Sequence, residues 1–106
     1  FDSPASVKAL RQSTRRILRE SEENGNVSYA LSGIRHREFL PDVETVVFNG
    51  KLKAEVRREA ICRYLQILDD DTPGKQAWAT KIAAAKIPNQ IRKPAEEFLK
   101  GQGPCQ

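Results

Sequence analysis

The residues best suited to acid–base or metal chemistry are few in this sequence. Three consecutive aspartates at 69–71 could hold a cation, and His36 could transfer a proton. The aspartates lack the alternating ligands and distal glutamate of a calcium loop, and His36 stands between two arginines with no cysteine nearby. The sequence also has no glycine-rich phosphate loop. We therefore predict no catalytic residues, no metal site and no cofactor, and expect a protein that is not an enzyme.

The two cysteines do not form a disulfide framework by number alone. Cys62 lies in an apolar helical stripe, where it would be a small buried side chain, and Cys105 lies in the terminal stretch GQGPCQ. One bridge between them would form in an oxidising compartment, but two cysteines do not establish it, so both states stay open. The tripeptide Asn26-Val27-Ser28 also fits the acceptor pattern for N-glycosylation, a short pattern that many chains contain.

The charge of the chain is basic but mixed in sign. Eighteen Lys and Arg stand against 14 Asp and Glu, for a net charge of +4. The basic clusters are short and have acidic neighbours, which is typical of a solvated helical surface. The alternative is a basic helical domain that binds DNA or RNA phosphates, and it would use six residues: Arg35, Arg37, Arg57, Arg58, Arg92 and Lys93. We rank it second because no basic face with interleaved aromatic residues is evident.

Helical periodicity dominates the chain. Apolar residues recur at spacings of three and four within 7–18, and most clearly within 52–68 and 75–87. The stretch VETVVF is β-branched, but no second strand exists to pair with it, so we predict a short helix ending at Asn49-Gly50. We expect an all-α protein, a small bundle of four to five helices. No run is long and apolar enough to span a membrane, so we predict no membrane insertion.

The same patterns divide the chain into three parts. We predict an N-terminal leader at 1–26, either helical or disordered, a helical domain at 27–101, and a flexible tail at 102–106. Trp78 is the largest apolar side chain and is expected to anchor the core.

Three apolar residues lie in the least regular part of the predicted domain. Phe39, Leu40 and Phe48 are our candidates for contacts with a binding partner, since interfaces place apolar anchors inside a charged rim. The alternative, that each of them completes the core, is the more common role for such residues.

One tetrapeptide suggests a family. Arg16-Ile17-Leu18-Arg19 is an R-x-L-R sequence followed by the acidic stretch 20–23. It resembles the translocation motif of the RXLR effectors that oomycete plant pathogens secrete into host cells. The order of parts, an Arg-rich leader before a compact helical domain with few cysteines, is similar as well.

The resemblance implies a function that the chemistry of the residues does not. RXLR effectors are generally not enzymes, and their helical domains enter plant cells and bind host proteins, such as a ubiquitin ligase or a kinase, to suppress immunity. Many are built on a core Trp and a core Tyr, whose places Trp78 and Phe98 would take.

The implied location is secretion followed by the host cytoplasm or nucleus, and we expect a signal peptide immediately before Phe1. A third interpretation is an intracellular adaptor or oligomerisation domain, and self-association is left open.

Overall fold

The protein is all-helical in the region that the structure describes. The computed structural model describes residues 4–103 and 105, with side chains from Val7 onward. Residues 1–3 of the predicted leader, and Pro104 and Gln106 of the predicted tail, lie outside the described residues. Six α-helices follow in order: α1 Pro4–Glu20, α2 Asn24–Ser32, α3 Leu40–Phe48, α4 Ala54–Leu68, α5 Thr72–Ala83 and α6 Asn89–Leu99. A single 3₁₀ turn, Arg37–Phe39, leads directly into α3.

The all-α prediction is confirmed, but the number of helices is higher than the predicted four to five. Two short segments, α2 and α3, form complete helices of nine residues each. Helices of this length are marginal alone, so they depend on tertiary burial. α2 buries Val27 and Leu31, and α3 buries three valines, Val43, Val46 and Val47. The β-branched stretch is therefore helical because one of its faces fills the core.

The core is centred on α4, which packs against α2, α3, α5 and α6. Its buried apolar face follows the predicted periodicity and comprises Val56, Ala60, Ile61, Leu65, Ile67 and Leu68. Trp78 of α5 is only 6% exposed, so its prediction as a core anchor is confirmed. The aromatic ring stacked on it is Tyr64 of α4, at 3.7 Å between ring centroids. Phe98, expected in the place of the second aromatic, is half-buried at the edge of the core.

The N-terminal helix belongs to the same core as the rest of the chain. α1 packs against α2 and α3, and Leu18 is fully buried in the shared cluster. Leu10, two turns earlier, is 69% exposed, so among residues 7–20, whose side chains the structure describes, the buried apolar contact lies in the C-terminal half of α1. The predicted boundary at residue 26 falls inside α2, and buried residues on both sides of it contact one another.

The C-terminal tail is tied to the bundle. Cys62 of α4 and Cys105 form a disulfide, with 5.4 Å between their Cα atoms. The bridge fastens one end of the segment predicted to be flexible, and Cys105 packs against the core. The sequence does not decide whether the two cysteines are joined, and in the structure they are.

The acidic run at 69–71 ends one helix and begins the next. Asp69 has a φ of 54° and a ψ of −113°, a non-helical conformation that ends α4. The carboxylate of Asp71 accepts a hydrogen bond from the Gly74 amide at 3.1 Å, which caps the N-terminus of α5. A carboxylate also suits the positive end of that helix dipole.

α6 contains a proline in its interior. Pro94 is the sixth residue of a helix that begins at Asn89. The ring removes one N–H from the helix interior, and Pro94 itself is buried.

Candidate functional site

The R-x-L-R tetrapeptide forms the last turns of α1, and its four side chains have different surroundings. Leu18 is fully buried, and Ile17 is half-buried against the core. Arg16 and Arg19 are exposed. The motif is therefore one part core and one part surface, which is the ordinary division of residues on an amphipathic helix.

An arginine row on α1 is paired with two acids that lie before and within α3. Arg11 Nη1 is 3.1 Å from Glu38 Oε1, and Arg15 Nη2 is 3.0 Å from Glu38 Oε2. Arg15 Nε lies 3.6 Å from Asp42 Oδ2, and Arg19 Nε contacts Asp42 Oδ1. Because residues four apart share one helix face, the three arginines and the two acids interleave. We call these five residues the arginine ladder.

Asp42 is the buried member of the arginine ladder. Its side chain is 1% exposed, so its charge is held almost wholly by Arg15 and Arg19. Its Oδ1 atom receives no aligned hydrogen bond from any described residue, and the ion pair with Arg19 is its compensation. The Arg15 guanidinium also lies over the Phe39 ring, 5.5 Å from its centroid. The ladder fixes α1 against the start of α3.

The three apolar contact candidates divide between core and surface. Phe39 is 5% exposed and belongs to the core, because the 3₁₀ turn directs it inward beneath Arg15. Leu40 is partly buried and packs against the same core. Phe39 is therefore not available as an exposed anchor, and only part of the Leu40 side chain is accessible to a partner. Phe48, at the last turn of α3, is 43% exposed.

Phe48 lies in an open groove of about 530 Å³. The groove is bordered by the C-terminal ends of α1 and α3 and by the last turn of α5. Nine residues line it: Arg19, Glu20, Glu22, Glu44, Thr45, Phe48, Asn49, Lys51 and Lys81. We call it the Phe48 groove. It brings together two of the residues that the sequence singles out, Arg19 and Phe48, which are far apart in the chain.

Ion pairs form the rim of the Phe48 groove. Lys51 Nζ donates to Glu22 Oε1 at 2.5 Å, and Lys81 Nζ donates to Glu44 Oε1 at 2.6 Å. Each hydrogen bond raises the pKa of its lysine. The same Glu44 oxygen accepts the indole N–H of Trp78 at 3.1 Å. The rim therefore contains both positive and negative side chains. The Lys81–Glu44 pair is also hydrogen-bonded to Trp78 of the core.

Several of the six basic residues of the nucleic-acid alternative are engaged by groups within the fold and are not free for phosphate. Arg57 is 7% exposed and donates to the Val47 carbonyl at 2.8 Å, and its burial lowers its pKa. Arg37 donates to the Leu68 carbonyl and lies 3.6 Å from Asp71. Arg35 and Arg92 also donate to backbone carbonyls and Arg58 is half-buried, whereas Lys93 is exposed, as are Arg35 and Arg37.

The acids that build this site were not identified from the sequence. Glu38, Asp42 and Glu44 look like ordinary surface carboxylates, yet each holds a cation from another helix. A signal was present in the spacing, because Glu38 and Asp42 repeat at four residues, as Arg11, Arg15 and Arg19 do. Only the fold places the two rows side by side.

Two kinds of feature are absent from the described region. Within residues 4–103 and 105, no group of three or more His, Cys, Asp or Glu side chains is arranged to hold a metal ion. None of the helices there combines the length and apolar character that crossing a bilayer requires.

The comparisons with known proteins add no relative. The chain matches no family model, no curated protein and no solved structure.

Proposed function

We propose that the chain is the folded body of a secreted effector that binds a host plant protein, such as a ubiquitin ligase or a kinase, and thereby suppresses immunity. The observation that carries the binding role is the Phe48 groove, where a large apolar side chain is 43% exposed among charged residues. An aromatic anchor inside a polar rim is the usual anatomy of a protein–protein contact.

The charges of the groove favour a protein partner over a nucleic acid. Its lining includes three acids, Glu20, Glu22 and Glu44, beside three cations. Phosphates would be repelled by the carboxylates, whereas a protein surface of mixed charge can pair with both signs.

The disulfide supports the secretory part of the proposal. Bridges such as Cys62–Cys105 form and persist in oxidising compartments and are rare in the cytosol. An intracellular adaptor, the third interpretation of the sequence, would keep both thiols reduced.

The placement of the R-x-L-R motif specifies how a translocation receptor would contact it. Arg16 and Arg19 present their charged groups at the surface of folded α1, whereas Leu18 is buried. A receptor of the folded protein would therefore contact the arginines. A receptor that also contacts the leucine requires the last turns of α1 to leave the bundle.

The binding role is tested with a matched pair of variants. Phe48 and Leu99 are 43% and 42% exposed, but Leu99 lies on α6 and does not line the groove. We expect Phe48→Ala to weaken binding to the plant partner by about 10- to 30-fold, as loss of an aromatic anchor does, and Leu99→Ala to leave it unchanged.

The measurement has two steps. Tagged wild-type protein selects partners from plant cell extract, and each partner is then purified and titrated against the three proteins by calorimetry. Leaf cells expressing the same proteins report immune suppression. Equal affinities for wild type and Phe48→Ala, or suppression that survives this substitution, would contradict the proposed surface.

A further inference from the structure

We propose that Asn26 is an N-glycosylation site, to which an oligosaccharide is attached as the chain passes through a eukaryotic secretory pathway. The inference rests on the secretory route of the proposed function and not on the Phe48 groove. The acceptor pattern Asn-x-Ser is met by Asn26, Val27 and Ser28, and the middle residue is not proline.

The folded protein has room for a glycan at this position. Asn26 is exposed in the first turn of α2. Beside it, a Cβ added at Gly25 would meet no atom of the surrounding helices within 4 Å, so no other helix crowds this turn at Gly25. A bulky hydrophilic group there would extend into solvent without displacing a neighbouring helix.

The hydrogen bonding of Asn26 is compatible with the modification. Its Nδ2 donates to Glu23 Oε2 at 2.7 Å, which uses one of its two hydrogens. Glycosylation replaces only one hydrogen of Nδ2, so an N-linked Asn26 keeps a donor for the same carboxylate. The native contact and the glycan can therefore coexist.

The transfer itself must precede folding. Val27 is fully buried, and the Ser28 hydroxyl donates to Glu59 at 2.8 Å, so the tripeptide is not free in the bundle. In the unfolded chain, Asn26 Nδ2 attacks the anomeric carbon of a polyprenyl-diphosphate-linked oligosaccharide. The N–C bond forms, the C–O bond to the diphosphate breaks, and polyprenyl diphosphate leaves while the lost amide proton passes to a base. No oxidant or reductant is needed.

A second feature indicates the compartment in which this transfer occurs. The Cys62–Cys105 disulfide requires an oxidising environment, and the lumen of the endoplasmic reticulum supplies that environment to chains receiving N-linked glycans. The disulfide joins α4 to Cys105 of the tail and the acceptor sequence lies in α2, so the two are independent observations.

The experiment expresses the full chain behind a heterologous signal peptide in a eukaryotic cell line. Mass spectrometry is applied to both secreted and cell-retained protein, before and after an amidase that releases N-linked glycans. We expect a glycan on Asn26, and conversion to aspartate with a mass gain of about 1 Da after release. Asn26→Gln and Ser28→Ala should lose the glycan, Ser28→Thr should keep it, and Asn89→Gln, an exposed Asn outside any acceptor pattern, should keep it too.

The outcomes separate this inference from the proposed function. Unmodified mass at Asn26 in disulfide-bonded wild-type protein overturns glycosylation and leaves the binding role untouched. A glycosylated chain whose Phe48→Ala variant binds normally overturns the groove and leaves the modification standing.

Discussion

Arg16 and Arg19 are equivalent in the R-x-L-R motif, but the fold uses only one of them in the arginine ladder. Arg19 contacts the buried Asp42, whereas Arg16 takes part in none of the ion pairs between described residues. We expect Arg19→Ala to lower the free energy of unfolding by about 1–2 kcal/mol and Arg16→Ala to change it by less than about 0.5 kcal/mol.

The size of the Arg19 effect follows from the burial of its partner. An exposed pair contributes about 0–1 kcal/mol, and removing the whole partner of a buried charge costs about 3–5 kcal/mol. Asp42 is 1% exposed, but the Arg19 side chain is 56% exposed and Arg15 stays 3.6 Å from the same carboxylate. The expected cost therefore lies between the two limits.

Urea unfolding followed by circular dichroism measures the difference. The corresponding shift in melting temperature is about 4–8 °C per kcal/mol for a chain of this size. The Asp42→Asn protein is the control background, because adding Arg19→Ala to it should cost much less than adding Arg19→Ala to the wild type. Equal destabilisation by the two arginine variants, or a loss below about 0.5 kcal/mol for Arg19→Ala, would refute the role assigned to the ladder. A translocation assay on both variants separates recognition from stability, because the proposed receptor would contact both arginines.

Two further predictions concern covalent and pH-dependent stability. Replacing Cys62 and Cys105 by serine opens a loop between residues 43 apart, so the free energy of unfolding should fall by about 4 kcal/mol. Reduction of the wild-type disulfide should lower it by a similar amount. A loss below about 1 kcal/mol in urea titrations would contradict this. The pKa of Lys81 is raised above its ordinary 10.5 by its hydrogen bond to Glu44. Its contribution to stability is thus present below that value and lost as the pH rises through the folded-state pKa. Lys81→Met should reduce the fall in unfolding free energy as the pH rises above about 10.5, and an identical fall in both proteins would show that the pair does not contribute.

The helical core could be predicted because its information is local. The apolar face of α4 and the burial of Trp78 follow from spacing and side-chain size within single segments. The short helix at VETVVF was predicted by eliminating a strand, and the structure supplies the positive reason, which is burial of its valines.

The site could not be predicted to the same extent because its contacts join distant segments. Arg15 and Glu38 are 23 residues apart, and Trp78 and Glu44 are 34 apart. Arg57 has the sequence context of a surface residue, but its carbonyl partner exists only after α3 has packed on α4. Phe39 and Phe48 are both aromatic residues near the ends of short elements, and only the 3₁₀ turn decides which of them faces inward.

The stack of Tyr64 on Trp78 gives the molecule a built-in optical probe. The chain contains one tryptophan, so its emission comes entirely from the junction of α3, α4 and α5. Separation of α1, which packs on α2 and α3, would leave most of those surroundings intact while lowering the helical ellipticity. A chain that opens its N-terminal helix first would therefore show two unfolding curves, with the circular dichroism transition ahead of the fluorescence transition, whereas a fully cooperative chain would show one.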